Sequence, residues 1–326
     1  MDLDNIFLNA CKNGQKGIVE AFVKKGGVNF NKKDGLGNTP LIYACEKNVG
    51  DVIKLLIANN ADVTMANNKS ITPLHISSAV GDKNAVLLLL EKGAGINAAD
   101  QDGQTPLMYA TDAHNIEMVR YLLKLGANKS IKDNNGHSAL YYATTAGLRD
   151  LIELLCDEES IARDNFGNNA LHLACFYGQS EVVSVLIKSG SFDINALNDL
   201  GDSPLTLSCE NQNIYITEVL LQNGANENLR KFDGNTPLHI VAGNGNHFIG
   251  KALIACGADI NYKNTNSETS LIVAARNGYN DFVALLLHHA ADINEIDNSK
   301  NSALYYASAK GYTEIVEQLI EAGATN

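Results

Sequence analysis

The chain has 326 residues, with 37 Asp and Glu against 25 Lys and Arg, a net charge of −12 and a pI near 5.1. Nucleic acid requires a basic stripe whose counterion release drives binding, and an anionic membrane surface asks for the same, so neither is expected as a partner. The longest apolar run, Ala85 to Leu90, is far too short to span a bilayer, and Met1-Asp2-Leu3-Asp4 lacks the basic and apolar regions of a signal peptide, so the chain is expected in the cytoplasm.

Residues 2–33 open the chain with two short apolar runs, Asn9-Ala10-Cys11-Lys12-Asn13-Gly14 and Ile18-Val19-Glu20-Ala21-Phe22-Val23. Thr39-Pro40-Leu41 then introduces a motif that recurs as Thr72-Pro73-Leu74-His75, Thr105-Pro106-Leu107 and Thr236-Pro237-Leu238-His239, with Ser203-Pro204-Leu205 as a close copy. All 5 prolines of the chain sit in it. From Pro40 to Pro73 to Pro106 the step is 33 residues, and carrying it onward with small adjustments reaches Ala139, Ala170, Pro204, Pro237, Ser270 and Ala303. A step this regular marks one structural unit copied along the chain.

The motif is a helix start. Threonine or serine offers its oxygen to a free backbone N–H, and proline fits the first helical position, where its missing N–H costs nothing. Leucine then points inward, and a small pair such as Ala44-Cys45, Ala174-Cys175 or Ala274-Ala275 lets a neighbouring helix approach closely. Gly81, Gly147, Gly178, Gly278 or Gly311 ends this helix, and a second apolar run such as Val86-Leu87-Leu88-Leu89-Leu90 forms helix two. Helix two closes on Gly-Ala, as at Gly93-Ala94, Gly126-Ala127, Gly224-Ala225, Gly257-Ala258 and Gly323-Ala324, with glycine in the left-handed conformation. An Asp/Asn-rich link with Gly103, Gly136, Gly167, Gly201 or Gly234 leads back as a hairpin-like finger.

This pattern resembles the ankyrin repeat, a finger followed by two antiparallel helices in about 33 residues. Thr72-Pro73-Leu74-His75-Ile76-Ser77, Ala174-Cys175-Phe176-Tyr177-Gly178 and Gly257-Ala258-Asp259-Ile260-Asn261 carry the resemblance, which covers nearly the whole chain. It implies an all-α repeat solenoid, a curved elongated stack forming one domain over 1–326 whose units touch only their neighbours. Residues 2–33 are expected to be the N-terminal capping repeat, followed over 34–326 by about nine further repeats, the last acting as C-terminal cap through Lys310, Glu314 and Glu317.

Two irregularities carry expectations. Cys156-Asp157-Glu158-Glu159-Ser160 replaces the Gly-Ala-Asp ending of the fourth copy, and Ala290 stands where glycine normally closes helix two, which predicts a different turn there. Cys11, Cys45, Cys175 and Cys209 share the small-residue slot of helix one and Cys156 and Cys256 lie at helix-two ends, so all 6 cysteines are expected to be reduced packing residues. Tyr43, Tyr109, Tyr142 and Tyr306 share one inward slot and are expected in the core. His75, His172 and His239 recur at one slot, where the ring can hydrogen-bond the finger backbone of a neighbouring repeat. No nucleotide-binding, metalloprotease, serine-hydrolase or Cys-x-x-Cys motif occurs, so no catalytic site, cofactor or metal is expected.

In the ankyrin family the groove between the fingers and the exposed side of helix one is the usual binding surface. The resemblance therefore implies partner-binding positions beside the finger glycine and before the inter-helix turn: His137 in the fourth copy; Phe166, Asn168, Phe176 and Tyr177 in the fifth; Leu200, Asp202 and Glu210 in the sixth; Phe232, Asp233 and Asn235 in the seventh. Aromatic groups ringed by polar ones are what interface hot spots look like, and the acidic surround points to a protein partner of basic or polar character. The expected function is a monomeric, non-catalytic interaction scaffold. An inhibitor or immunity-type protein that blocks an enzyme or toxin with the same groove is the alternative.

Overall fold

A computed structural model describes residues 2–156 and 163–325. Residues 157–162, where the shortened ending of the fourth copy falls, lie outside the described residues. Among the described residues twenty α-helices, from Leu3–Lys12 to Thr313–Glu321, follow one another in pairs, and the one isolated β-bridge joins Ile296 and Ser302. This is an all-α repeat solenoid in class. Contacts group the chain into two compact units, Met1–Asn165 and Phe166–Asn326.

Each helix one starts where the motif places it. Thr39 accepts from the N–H of Ile42 at 3.3 Å, Ser203 from Thr206 at 3.1 Å and Asn169 from His172 at 3.1 Å, and Pro40 and Pro204 take the first helical position. In the second and seventh copies histidine completes the cap. The N–H of Thr72 donates to His75 Nδ1 at 3.2 Å while Nε2 lies 3.0 Å from the carbonyl of Gln104 in the next copy, and Thr236, His239 and Glu268 repeat this at 3.3 and 2.9 Å. A carbonyl accepts only, so Nε2 carries the proton and Nδ1 is the acceptor. The ring thus bonds the neighbouring finger, as its recurrence predicts.

The finger rests on its first residue. Asp100 Oδ1 accepts the N–H groups of Asp102 and Gln104 at 2.9 and 2.8 Å, and Oδ2 accepts the hydroxyl of Tyr109 at 2.8 Å. Asp34 with Tyr43, Asp133 with Tyr142 and Asp297 with Tyr306 repeat the pair. Burial works to raise the Asp34 and Asp297 carboxyls, but the hydroxyl and amide donors hold both below the usual range. Where the first residue is Asn67, Asn198 or Asn264, the position nine further on is Ile76, Leu207 or Val273. Of the four tyrosines expected in the core, Tyr43 is buried, while Tyr109, Tyr142 and Tyr306 are half-buried braces whose hydroxyls hold the finger.

Copy is tied to copy by two ladders. At the helix-two end, Asn195 Oδ1 accepts the N–H of Asn226 at 2.8 Å, Asn228 that of Asp259 at 2.8 Å and Asn261 that of Asp292 at 2.8 Å. At the fingertips, the carbonyls of Leu36, Lys69 and Asp102 accept the N–H groups of Asn68, Gln101 and Asn134 within the first unit, and Phe166 and Asp233 accept those of Asp199 and Thr265 within the second. Close approach explains the finger glycines: a Cβ on Gly234 would lie 2.7 Å from the backbone nitrogen of Thr265.

Cys11, Cys45, Cys175 and Cys209 are buried free thiols in the small-residue slot, and desolvation pushes Cys11, Cys45 and Cys209 up to about 12. Cys256 is a free thiol as expected but is exposed, which corrects the expectation that it is a packing residue. The expectation of a different turn at Ala290 is also corrected. Ala290 takes the left-handed conformation at φ 61°, and the closing bond from the N–H of Ala291 to Leu286 matches that from Ala258 to Leu253. The turn keeps its form because its hydrogen bonds and the burial of Ala291 outweigh the strain of one alanine.

Two outcomes are expected. Ala290→Gly should stabilise the protein by about 1 kcal/mol, read as a higher denaturation midpoint, because it removes the strain of a left-handed Cβ. Burial, the largest influence on His75 and His239, lowers both from 6.5 in the fold, so the unfolded chain takes up protons first. Stability is therefore full above the unfolded value and falls as pH drops through it. Denaturation measured between pH 7 and 5 should show this fall, and His75→Gln/His239→Gln, which keeps donor and acceptor without titrating, should flatten it.

Candidate functional site

Three consecutive copies of the second unit carry apolar fingertips: Phe166, Leu200 and Phe232 are 64, 66 and 70 % exposed. Phe166 and Leu200 hold the third finger position, whose side chain turns away from the ladder. Phe232 holds the second, where the other copies use the residue to bond the preceding finger. Asn134 Nδ2 donates to Gln101 at 3.0 Å, Asn298 Nδ2 to Thr265 at 3.1 Å and Thr265 Oγ1 to Asp233 at 2.6 Å. Phe232 has no polar atom to do this, and among the described residues its N–H forms no bond to the carbonyl of Leu200. Its backbone and ring lie instead against Gly201, where an added Cβ would sit 2.8 Å from the Phe232 nitrogen and 2.9 Å from Cγ of its ring.

Phe176 and Tyr177 form a second cluster at the end of helix one of the fifth copy, Ala170–Phe176, about 10 Å along the axis from its start. Their rings meet edge to face at 5.1 Å and both are exposed. The Phe176 carbonyl accepts Asn211 Nδ2 at 2.8 Å, and the preceding residue, Glu210, pairs with Lys231 at 2.6 Å. Lys231 opens the seventh finger and lies 2.6 Å from Asp202 as well. A polar bridge through Asn211, Glu210 and Lys231 therefore connects the helix-end aromatics to the fingertips. Burial alone would lower the Lys231 ammonium, but Asp202 and Glu210 more than offset it and hold its pKa above the ordinary value.

The remaining expected residues divide. Asn168 Oδ1 accepts Asn198 Nδ2 at 2.8 Å and Asn235 Oδ1 accepts Asn264 Nδ2 at 2.9 Å, so both join neighbouring fingers. Asp233 is exposed and caps its own finger through Asn235. Asp202, expected as a groove residue, is buried, so it contributes by fixing Lys231. His137 belongs to the first unit, where it stacks on Tyr141 at 3.5 Å and lies 3.5 Å from Asp133. Lys231 is the residue that sequence reasoning missed. Its signal was a lysine at a finger position otherwise held by Asp or Asn.

A family model described as ankyrin repeats matches residues 3–67, 51–133, 125–198, 191–264 and 238–326. The chain belongs to the ankyrin-repeat family. It is similar to an ankyrin repeat protein of Rickettsia bellii, 47 % identical over 57 residues that make up 18 % of this chain and 34 % of the relative. An ankyrin repeat protein of Fowlpox virus is 40 % identical over 77 residues, 23 % of this chain and 15 % of the relative. The human transient receptor potential cation channel subfamily A member 1 is 33 % identical over 78 residues, 23 % of this chain and 7 % of the channel. The chain thus spans about a third or less of the length of these relatives. Ankyrin repeats generally mediate protein–protein interaction, and the family is generally non-catalytic. No helix among the described residues is long and apolar enough to cross a membrane.

Lys231→Met should leave Asp202 buried beside an apolar chain and destabilise the second unit by about 2 kcal/mol, the cost of an uncompensated buried group. Adding Asp202→Asn should recover part of that loss. Denaturation of the two single variants and the double variant checks the coupling.

Proposed function

We propose that the chain is a non-catalytic interaction module whose second unit docks a protein partner of basic or polar character. Phe176 and Tyr177 form one end of the docking surface and the fingertips Phe166, Leu200 and Phe232 the other. The observation that carries this reading is Phe232. It occupies a position with a structural duty, forgoes the hydrogen bonds that neighbouring copies make there, and exposes an aromatic ring instead. A side chain that breaks a local rule and still leaves most of its ring in solvent points to a contact outside the chain. Charge supports the same unit: Phe166–Asn326 carries about twice as many carboxylates as basic side chains, whereas Met1–Asn165 is close to balanced.

Phe232→Asn separates fold from function. It restores the polar residue used at this finger position elsewhere, so thermal stability should hold or rise slightly. Partner capture from source lysate should meanwhile fall about tenfold or more, the scale of a lost aromatic anchor. Phe176→Ala/Tyr177→Ala should lose capture in the same assay at an unchanged melting temperature. Capture that survives both sets of changes would sink this surface.

A further inference from the structure

We propose that the chain forms a two-fold dimer with a second copy of itself through the outer faces of helix two in the sixth and seventh copies, Ile214–Gln222 and His247–Ala255. The second residue of helix two sets the character of this face. Among the described residues it is a carboxylate in six of the ten pairs, from Asp51 to Glu314, and Gly17 or Asn84 in two more. A carboxylate suits the place, because free backbone N–H groups give a helix N-terminus partial positive charge. In the sixth and seventh copies the residue is Tyr215 and Phe248, 57 and 60 % exposed, and neither helix has an acidic residue in its first turn. The position before it changes too. Lys83 pairs with Glu117 across neighbouring second helices, and the matching positions in the sixth and seventh copies are Ile214 and Phe248. Two adjacent copies thus trade charge for apolar side chains that stay largely in solvent, with the His247 and Phe248 rings 4.0 Å apart. Both copies have neighbours on either side, so the exposure belongs to the outer face and not to an end of the stack.

The charges on this face select a second copy as its occupant. Three and seven residues after each aromatic, along the same exposed line, stand Glu218 and Gln222 in the sixth copy and Lys251 and Ala255 in the seventh. Among the described residues neither Glu218 nor Lys251 forms an ion pair within the chain. A two-fold axis parallel to the two helices and midway between them lays the sixth-copy helix of each chain on the seventh-copy helix of the other. Tyr215 of one chain then meets Phe248 of the other and Glu218 meets Lys251, each twice over. An axis across the helices would lay each helix on its own equivalent, with Glu218 near Glu218 and Lys251 near Lys251. One slot further out on either side stand Glu181 and Asp281, which the parallel axis brings toward each other, so the contact ends at the two central copies. Such a junction is small for a specific interface, so association should be weak, concentration-dependent and reduced by salt. It uses none of the fingertip or helix-end aromatics, so a dimer carries two free docking surfaces. It replaces the monomer expected from the sequence.

Sedimentation equilibrium of the 326-residue chain between about 1 μM and about 1 mM tests this. The wild type should pass from monomer toward dimer mass and no further, because a two-fold contact closes on itself. Phe248→Asp returns the carboxylate that the slot carries elsewhere, so its melting temperature should hold or rise while dimerisation weakens at least tenfold. Glu218→Lys and Lys251→Glu should each weaken dimerisation at low salt, since each sets like charges together. Mixed in equal amounts these two variants should pair with one another, and both changes in one chain should restore association to near the wild type. A wild type that stays monomeric across the series overturns the proposal, as does mass that grows beyond a dimer. A Phe248→Asp chain that folds and dimerises as before overturns it by placing the contact elsewhere. Single charge variants that keep wild-type association, or a double variant that fails to recover it, overturn the two-fold pairing.

Discussion

The contact between one copy and the next is the constraint on which the rest of this structure depends. Helices of 7 to 10 residues are too short to persist alone in water, and no single pair encloses a core. Each pair must therefore bury its sides against neighbours, and the sequence spends its most regular features there. The small pair of helix one lets helices approach, the histidine ring or its apolar substitute fills the forward slot, and asparagine side chains carry an N–H from the next copy. Buried polar groups such as His75 and His239 are tolerated because each nitrogen finds a partner, one in its own cap and one in the following finger.

The same constraint separates structural residues from free ones. A position with a duty toward the next copy has few allowed side chains, and a departure there is informative. Ala290 is a departure the fold absorbs, because the hydrogen bonds of its turn survive. Phe232 is one it does not absorb, because the ladder bond to the preceding finger is missing and nothing buried replaces it. Phe166 and Leu200 break no rule, since the third finger position contributes only its carbonyl to the ladder. Their exposure gains meaning from standing in consecutive copies beside Phe232.

Much of the fold was legible because its signals are local. A Thr-Pro-Leu triplet starts a helix through atoms within three residues of one another, and a Gly-Ala pair ends one in the same way. What stayed hidden acts over 20 to 40 residues and needs the register of neighbouring copies. The brace between Asp100 and Tyr109 was within reach, because in four of the five fingers that open on aspartate a tyrosine follows nine residues on, while Asn67, Asn198 and Asn264 go with an aliphatic residue. The bridge from Lys231 to Asp202 and Glu210 was not, since 29 and 21 residues separate the partners and only the stacked fingers bring them together. The candidate residues were chosen by slot, which cannot distinguish a carboxylate that faces water from one buried against a lysine.

That distinction changes what the acidity of the second unit means. Asp202, Glu268 and Asp297 are buried and spend their charge inside the fold, on Lys231, on Arg276 and on Tyr306. Glu218, Asp281, Glu314 and Glu317 lie on second helices, away from the fingers. Near the apolar fingertips the exposed carboxylates among the described residues are Asp199 and Asp233, which adjoin Leu200 and Phe232 in sequence, while Glu210 is held by Lys231. The field at this surface is therefore set by groups of both signs, Asp199 and Asp233 with Arg163 and Arg230, beside apolar side chains, and the net charge of the chain describes it poorly.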